Sequence, residues 1–151
     1  MTDSFSIRKI LVVVDGTESS VRAVRYAARL AALHRAALTA IAVVDTATLK
    51  SLFKSSVLVE AEMEEFGQEL EASARTNLGY AAQITKEAGI DAETLLEKGS
   101  VHSVIIQKCR QLGVELLVMG SFSTSMIRRD LTARERRLIV DEVKCPILLV
   151  S

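Results

Sequence analysis

The sequence predicts a single α/β domain spanning residues 1–151, built on a parallel sheet with helices on both faces. Three observations predict it. Lys9–Val14, Ala37–Val44, Glu115–Met119 and Ile147–Val150 are short, nearly unbroken apolar runs, several rich in β-branched residues. Lacking polar alternation, they fit strands covered on both sides, as parallel strands are. Apolar residues at helical spacing fill the segments between them, and strands alternating with helices imply right-handed crossovers. Asp, Gly, Ser and Pro mark the junctions.

The first run ends in Asp15-Gly16-Thr17-Glu18-Ser19-Ser20. In open α/β sheets ligands bind at the carboxyl edge of the strands, so Asp15 is a candidate ligand-facing carboxylate, although a turn residue would look the same. Thr17, Ser19 or Ser20 can cap the next helix. Val21, Val24, Ala27, Ala28, Ala31 and Ala32 share one face of that helix and Arg22, Arg25 and Arg29 another, to about His34. The second strand runs into Asp45. Residues 46–58 have no clean period and leave two readings open, a flap over the cleft or a partner, and a short helix on the domain edge.

From Glu60 to Ala88 the pattern is helical, with Met63, Phe66, Leu70, Ala74, Leu78 and Ala81 on one stripe. Glu60, Glu62, Glu64 and Glu65 crowd its amino end, where the helix dipole favours acids, and Gly89 stops it. Ala92–Glu97 is a third strand. Ser100 can cap a helix carrying Val101, Val104, Ile105, Cys109 and Leu112, with His102 in its first turn as an exposed or capping residue. A fourth strand ends at Gly120-Ser121, and a last helix is expected from about Ala133 to Val143. Cys145-Pro146 breaks it before the fifth strand.

Composition excludes several classes. Nineteen basic and nineteen acidic residues balance, and only 4% of residues are aromatic, with no Trp. Neither an electrostatic footprint for nucleic acid nor a stacking platform for bases is indicated. No apolar stretch is long enough to span a bilayer, and Met1-Thr2-Asp3-Ser4-Phe5 lacks a signal peptide's regions, so the expected place is the cytoplasm. Cys109 and Cys145 form no metal or redox spacing and read as buried thiols kept reduced.

Several of these stretches, taken together and in order, resemble the universal stress protein family. Lys9–Gly16 is similar to the family's first strand and its aspartate, and Val43-Val44-Asp45 to the end of the second strand. Gly99, Val114–Ser121 and Cys145–Val150 are similar to its later landmarks. The resemblance implies a Rossmann-like open parallel five-stranded sheet and a homodimer formed through the C-terminal strand. An exposed apolar edge such as Ile147–Val150 would suit that pairing. It also implies, for many members, an ATP site at the carboxyl edge. By position, Asp15 would meet the nucleoside, Val43 would offer backbone groups to adenine, and Met119 and Gly120 would line the base and ribose.

The family's phosphate loop is written G-x2-G-x9-G-[ST], its glycines letting backbone amides approach an anion. Here Gly120 is followed by Ser123, Ala133 and Arg134 at the remaining motif positions. Two readings compete. Either the cleft is degenerate and nucleotide binding weak or absent, or Arg128, Arg129, Arg134, Arg136 and Arg137 hold a phosphate by charge. Arg134, placed at the amino end of the last helix, is the residue expected to keep ATP out. The leading expectation is a homodimeric stress-response protein acting by association with an unknown protein partner and using no cofactor. The alternative is an ATP- or AMP-binding member whose occupancy regulates partner binding. No catalytic constellation or metal cluster is evident, so an enzyme is not expected.

Overall fold

The computed structural model describes residues 6–56, 58–121 and 126–151, with the backbone alone for 126–132. The chain runs β1 (Lys9–Val13), α1 (Glu18–His34), β2 (Ala37–Asp45), α2 (Thr46–Lys54) and α3 (Glu60–Glu87). It continues through β3 (Glu93–Gly99), α4 (Val101–Leu112), β4 (Leu116–Gly120), α5 (Met126–Glu142) and β5 (Ile147–Val150). The five strands are all parallel, in the order β3-β2-β1-β4-β5. β1 lies at the centre, paired with β2 on one side and β4 on the other, as its unbroken apolar run requires.

Alternate residues of the strands feed two cores. Ile10, Val12, Val14, Leu38, Ala40, Ala42, Leu116 and Val118 meet the alanine-rich face of α1 and the Ala74, Leu78 and Ala81 positions of α3. Leu11, Ile41, Leu117 and Met119 meet Ile105 and Cys109 of α4 and Ile139 of α5. Small residues on α1 (Ala23, Ala27, Ala28 and Ala31) let that helix sit close to the sheet. Ala32, expected on the same face, is exposed.

Residues 46–54 take the second of the two readings, a short helix. Asp45 Oδ1 caps it by accepting from Thr48 N at 3.0 Å, and Oδ2 accepts from Thr48 Oγ1 at 2.7 Å. Leu49 is buried against α3, where a Cβ built at Gly67 would lie 3.7 Å from Leu49 Cδ1. From Leu70 onward α3 reaches the core: Leu70 packs against it and Ala74, Leu78, Ala81 and Thr85 are buried, while Phe66 is exposed. The ion pair of Glu71 with Lys98 at 2.7 Å ties α3 to β3, and that ammonium holds the Glu71 carboxyl below its usual range.

The main correction concerns α5. It begins at Met126, seven residues before the expected Ala133. Ala133 and Arg134 therefore lie inside the helix, about 10–12 Å along its axis from the start. Both are exposed there.

Candidate functional site at the carboxyl edge

The site is assembled where β1, β2 and β4 release their chains. After Val14, the chain turns through Gly16 at φ +82°, a left-handed value that suits glycine. Asp15 Oδ1 accepts from Thr17 N at 3.0 Å and Thr17 Oγ1 at 2.6 Å. Thr17 is the cap of α1, its Oγ1 accepting from Ser20 N at 3.1 Å. Ser20 Oγ in turn accepts from Asp15 N at 3.0 Å and donates to Val13 O at 3.1 Å. This closed set of bonds fixes the Asp15 backbone. It leaves Oδ2 of an exposed carboxylate without a hydrogen bond among the described residues.

Val43 lies one strand away. The β1–β2 pairing ends at Val13↔Ile41, with Val14 N donating to Ile41 O at 2.8 Å. Residues two apart on a strand turn their backbone groups to the same side. The N–H and C=O of Val43 therefore face the side where β1 has already left for α1. This is an unpaired donor and acceptor at the level of Asp15, with Val43's side chain packed on the second core.

At the β4 tip Met119 is buried, and Gly120 is spoken for by the fold itself. A Cβ on Gly120 would come within 2.5 Å of Ser19 Oγ, 2.8 Å of Ser20 N and 2.9 Å of Ser19 C. Its missing side chain thus makes room for the first turn of α1. Ser121 N donates to Val150 O at 2.9 Å, while its buried Oγ has no hydrogen-bond partner among the described residues. Ser123 lies outside the described residues.

Two side chains of α5 reach back to this edge: Arg136, one of the arginines expected to hold a phosphate, and Glu135, which the sequence did not signal. Arg136 Nη1 donates to Ser121 O. Glu135 Oε2 accepts from His102 N at 2.8 Å and lies 2.6 Å from His102 Nδ1, so it caps α4. The expected cap, Ser100, bonds instead to His102 Nδ1 at 3.0 Å. Ser100 and Glu135 converge on the same ring nitrogen, whereas a hydrolytic triad needs the nucleophile and the carboxylate on opposite nitrogens of the histidine. No group of three His, Cys, Asp or Glu able to hold a metal occurs among the described residues.

The edge thus brings Asp15, Val43, Met119 and Gly120 together. It places Ala133 and Arg134 on the outer surface of α5 rather than at a helix start. Arg134 is thus not at the amino end of the last helix, where it was expected to keep ATP out, and free helical amides occur only in the first turn. A groove of about 210 Å³ between α1 and α3, lined by Val14, Val24, Asn77, Tyr80 and Ile84, opens on the other face of the sheet and belongs to no predicted site.

The cysteines, 36 positions apart in sequence, meet in the fold: Cys109 is buried, Cys145 half-buried, and their side chains hydrogen-bond. Burial, then the neighbouring Cys145, pushes the Cys109 thiol up to about 12, and burial also raises Cys145.

The pattern of the universal stress protein family matches residues 6–151. The universal stress protein YxiE of Bacillus subtilis is 27% identical over 147 residues, covering 94% of this chain and 97% of that one. A putative universal stress protein of Staphylococcus haemolyticus is also 27% identical, over 95% of this chain and 84% of its own. Among solved structures, the universal stress protein UspA of Lactobacillus plantarum superposes with a TM-score of 0.79 at 22% identity, covering 98% and 100% of the two chains. A universal stress protein in complex with cAMP gives 0.71 at 22% identity over 97% and 98%. An Archaeoglobus fulgidus member in complex with dAMP gives 0.66 at 15% identity over 97% and 100%. With its landmarks in order and the family pattern matched over nearly its whole length, the chain belongs to the universal stress protein family.

Proposed function

We propose that this protein is a cytoplasmic stress-response regulator that acts by association, as a homodimer through β5, and that its cleft reads a nucleoside and not a triphosphate. It is not an enzyme on this reading. The observation that carries it is the run of α5 through positions 133 and 134. Where a phosphate-binding loop would present glycine amides, this chain has helical backbone whose amides are already bonded to the preceding turn. Gly120, the one motif glycine retained, is packed against Ser19 and Ser20. The nucleoside side of the cleft fits better. Asp15 offers a free carboxylate oxygen at ribose height, and Val43 offers the backbone donor and acceptor an adenine edge needs. Ser121 adds a buried hydroxyl without a partner among the described residues.

The second reading, a monophosphate ligand that modulates partner binding, is favoured by the cAMP and dAMP complexes of two structural neighbours. Calorimetry with ATP, AMP and adenosine tests the proposal. The three bind within about threefold of one another, since the γ-phosphate meets no dedicated group, and Asp15→Ala weakens all three alike. ATP binding more than about tenfold tighter than AMP, a difference of about 1.4 kcal/mol, would overturn it.

A further inference from the structure

We propose that this protein also associates with itself head to tail, through a surface separate from β5: the α1 face of one copy docks antiparallel on the α2–α3 arm of another. The arm follows from helix length. At 1.5 Å per residue the 28-residue α3 is about 42 Å long, yet its buried residues begin only at Ala74. Its amino half therefore extends past the carboxyl edge of the sheet with α2 packed beside it. That overhang leaves Phe53, Val59 and Phe66 exposed at 43%, 59% and 45%. Val59 is the extended N-cap of α3 and Phe66 lies in its second turn. Phe53 stands one turn beyond Leu49, on the side of α2 that meets α3.

An exposed apolar line lies on α1. Tyr26 and Leu33, seven apart, are exposed at 49% and 76%. Arg22, Arg25 and Arg29 flank this line on one rotational side, and Glu62, Glu65 and Glu69 flank Phe66 on the same rotational side of α3. When two helices pack antiparallel, equivalent sides face each other, as e faces e in a coiled coil, so this arrangement sets arginines opposite glutamates. A parallel pairing would set them apart.

The charges are segregated to suit this. Between residues 59 and 73 there are six glutamates and no Lys or Arg, although the whole chain is neutral. Arg25, Arg29, Glu65 and Glu69 are exposed and make no ion pair among the described residues. Arg22 is partly engaged, with Glu18 at 4.0 Å and with Ser151 O, so Arg25 and Arg29 are the chief partners. Because donor and acceptor faces differ, the contact is heterologous and can repeat.

Sedimentation velocity on the full chain tests this with charge swaps. Wild type forms species larger than its β5 assembly in about 0.05 M salt, and these dissolve in about 0.5 M salt as screening shortens. Arg25→Glu with Arg29→Glu, and separately Glu65→Arg with Glu69→Arg, each lower the association at least about tenfold in low salt. Mixing the two variants restores it, because each supplies the face the other lacks. All four positions are exposed, and unchanged thermal midpoints confirm folding. Association that ignores salt, variants that associate like wild type, or a mixture that stays apart would each overturn the proposal.

Discussion

At the scale of single residues, two groups show how the fold assigns roles that sequence motifs leave ambiguous. Gly120 carries the first motif glycine, yet its contacts are with Ser19 and Ser20 of α1 and not with open solvent. Gly120→Ala must move either β4 or the first turn of α1, because two of the three close atoms belong to backbone. The expected cost is about 1–3 kcal/mol in urea unfolding, and an unchanged midpoint would show that the glycine is not needed for packing. Cys109 illustrates the reverse: nothing in its spacing joined it to Cys145, because the pair meets only where α4 and the segment between α5 and β5 share the second core. Its folded-state value, pushed up to about 12 from an ordinary 9.0, means the unfolded chain releases this proton first. Stability is therefore fully present below about pH 9 and falls as pH rises from there to about 12. Cys109→Ala, which lacks the thiol, loses less stability across that window. Slow alkylation of native Cys109 at pH 8, with Cys145 faster, is the companion result.

At the scale of elements, the strands were legible because apolar runs bounded by Asp, Gly and Pro admit few alternatives, and Asp15-Gly16 and Asp45 ended theirs as read. The helix α5 was not. Between Ser121 and Cys145 the sequence has no Gly or Pro, so nothing stops a helix from extending back to Met126 once the loop glycines are gone. Reading residues 121–134 against a motif they no longer keep hid this, and with it the capping role of Glu135 and the bond of Arg136 to Ser121, whose partners lie on distant strands and helices. Half of α3's apolar stripe misled for a related reason: periodicity marks a face but not what covers it, and Phe66 faces solvent. β5, like β3 at the opposite edge, has an open side. It pairs only with β4, and Leu149 is 44% exposed whereas Leu148 packs into the first core. Leu149→Lys thus probes the edge without entering the core. It is expected to convert a dimer to monomer in light scattering with little change in thermal midpoint, and a dimer that survives it would place the interface elsewhere.

At the scale of the whole molecule, one sheet edge and one overhanging arm divide the work. The carboxyl edge collects Asp15, an open stretch of β2 backbone at Val43 and the tip of β4. α5 closes over the side where phosphates would lie and is held there by Glu135 on α4 and Arg136 on Ser121. The α2–α3 arm stands beyond that edge and offers apolar and acidic surface to another molecule. This division predicts a protein whose associations are its activity and whose ligand, if bound, is recognised by its base and sugar. The most direct measurement is a backbone-amide NMR titration with AMP and then with ATP. The account predicts that both ligands perturb the same set of amides, centred on Gly16, Val43 and Ser121, and leave those of Ala133 and Arg134 unmoved. Perturbation of Ala133 and Arg134 by ATP alone would mean that α5 opens to receive phosphates, and would contradict it.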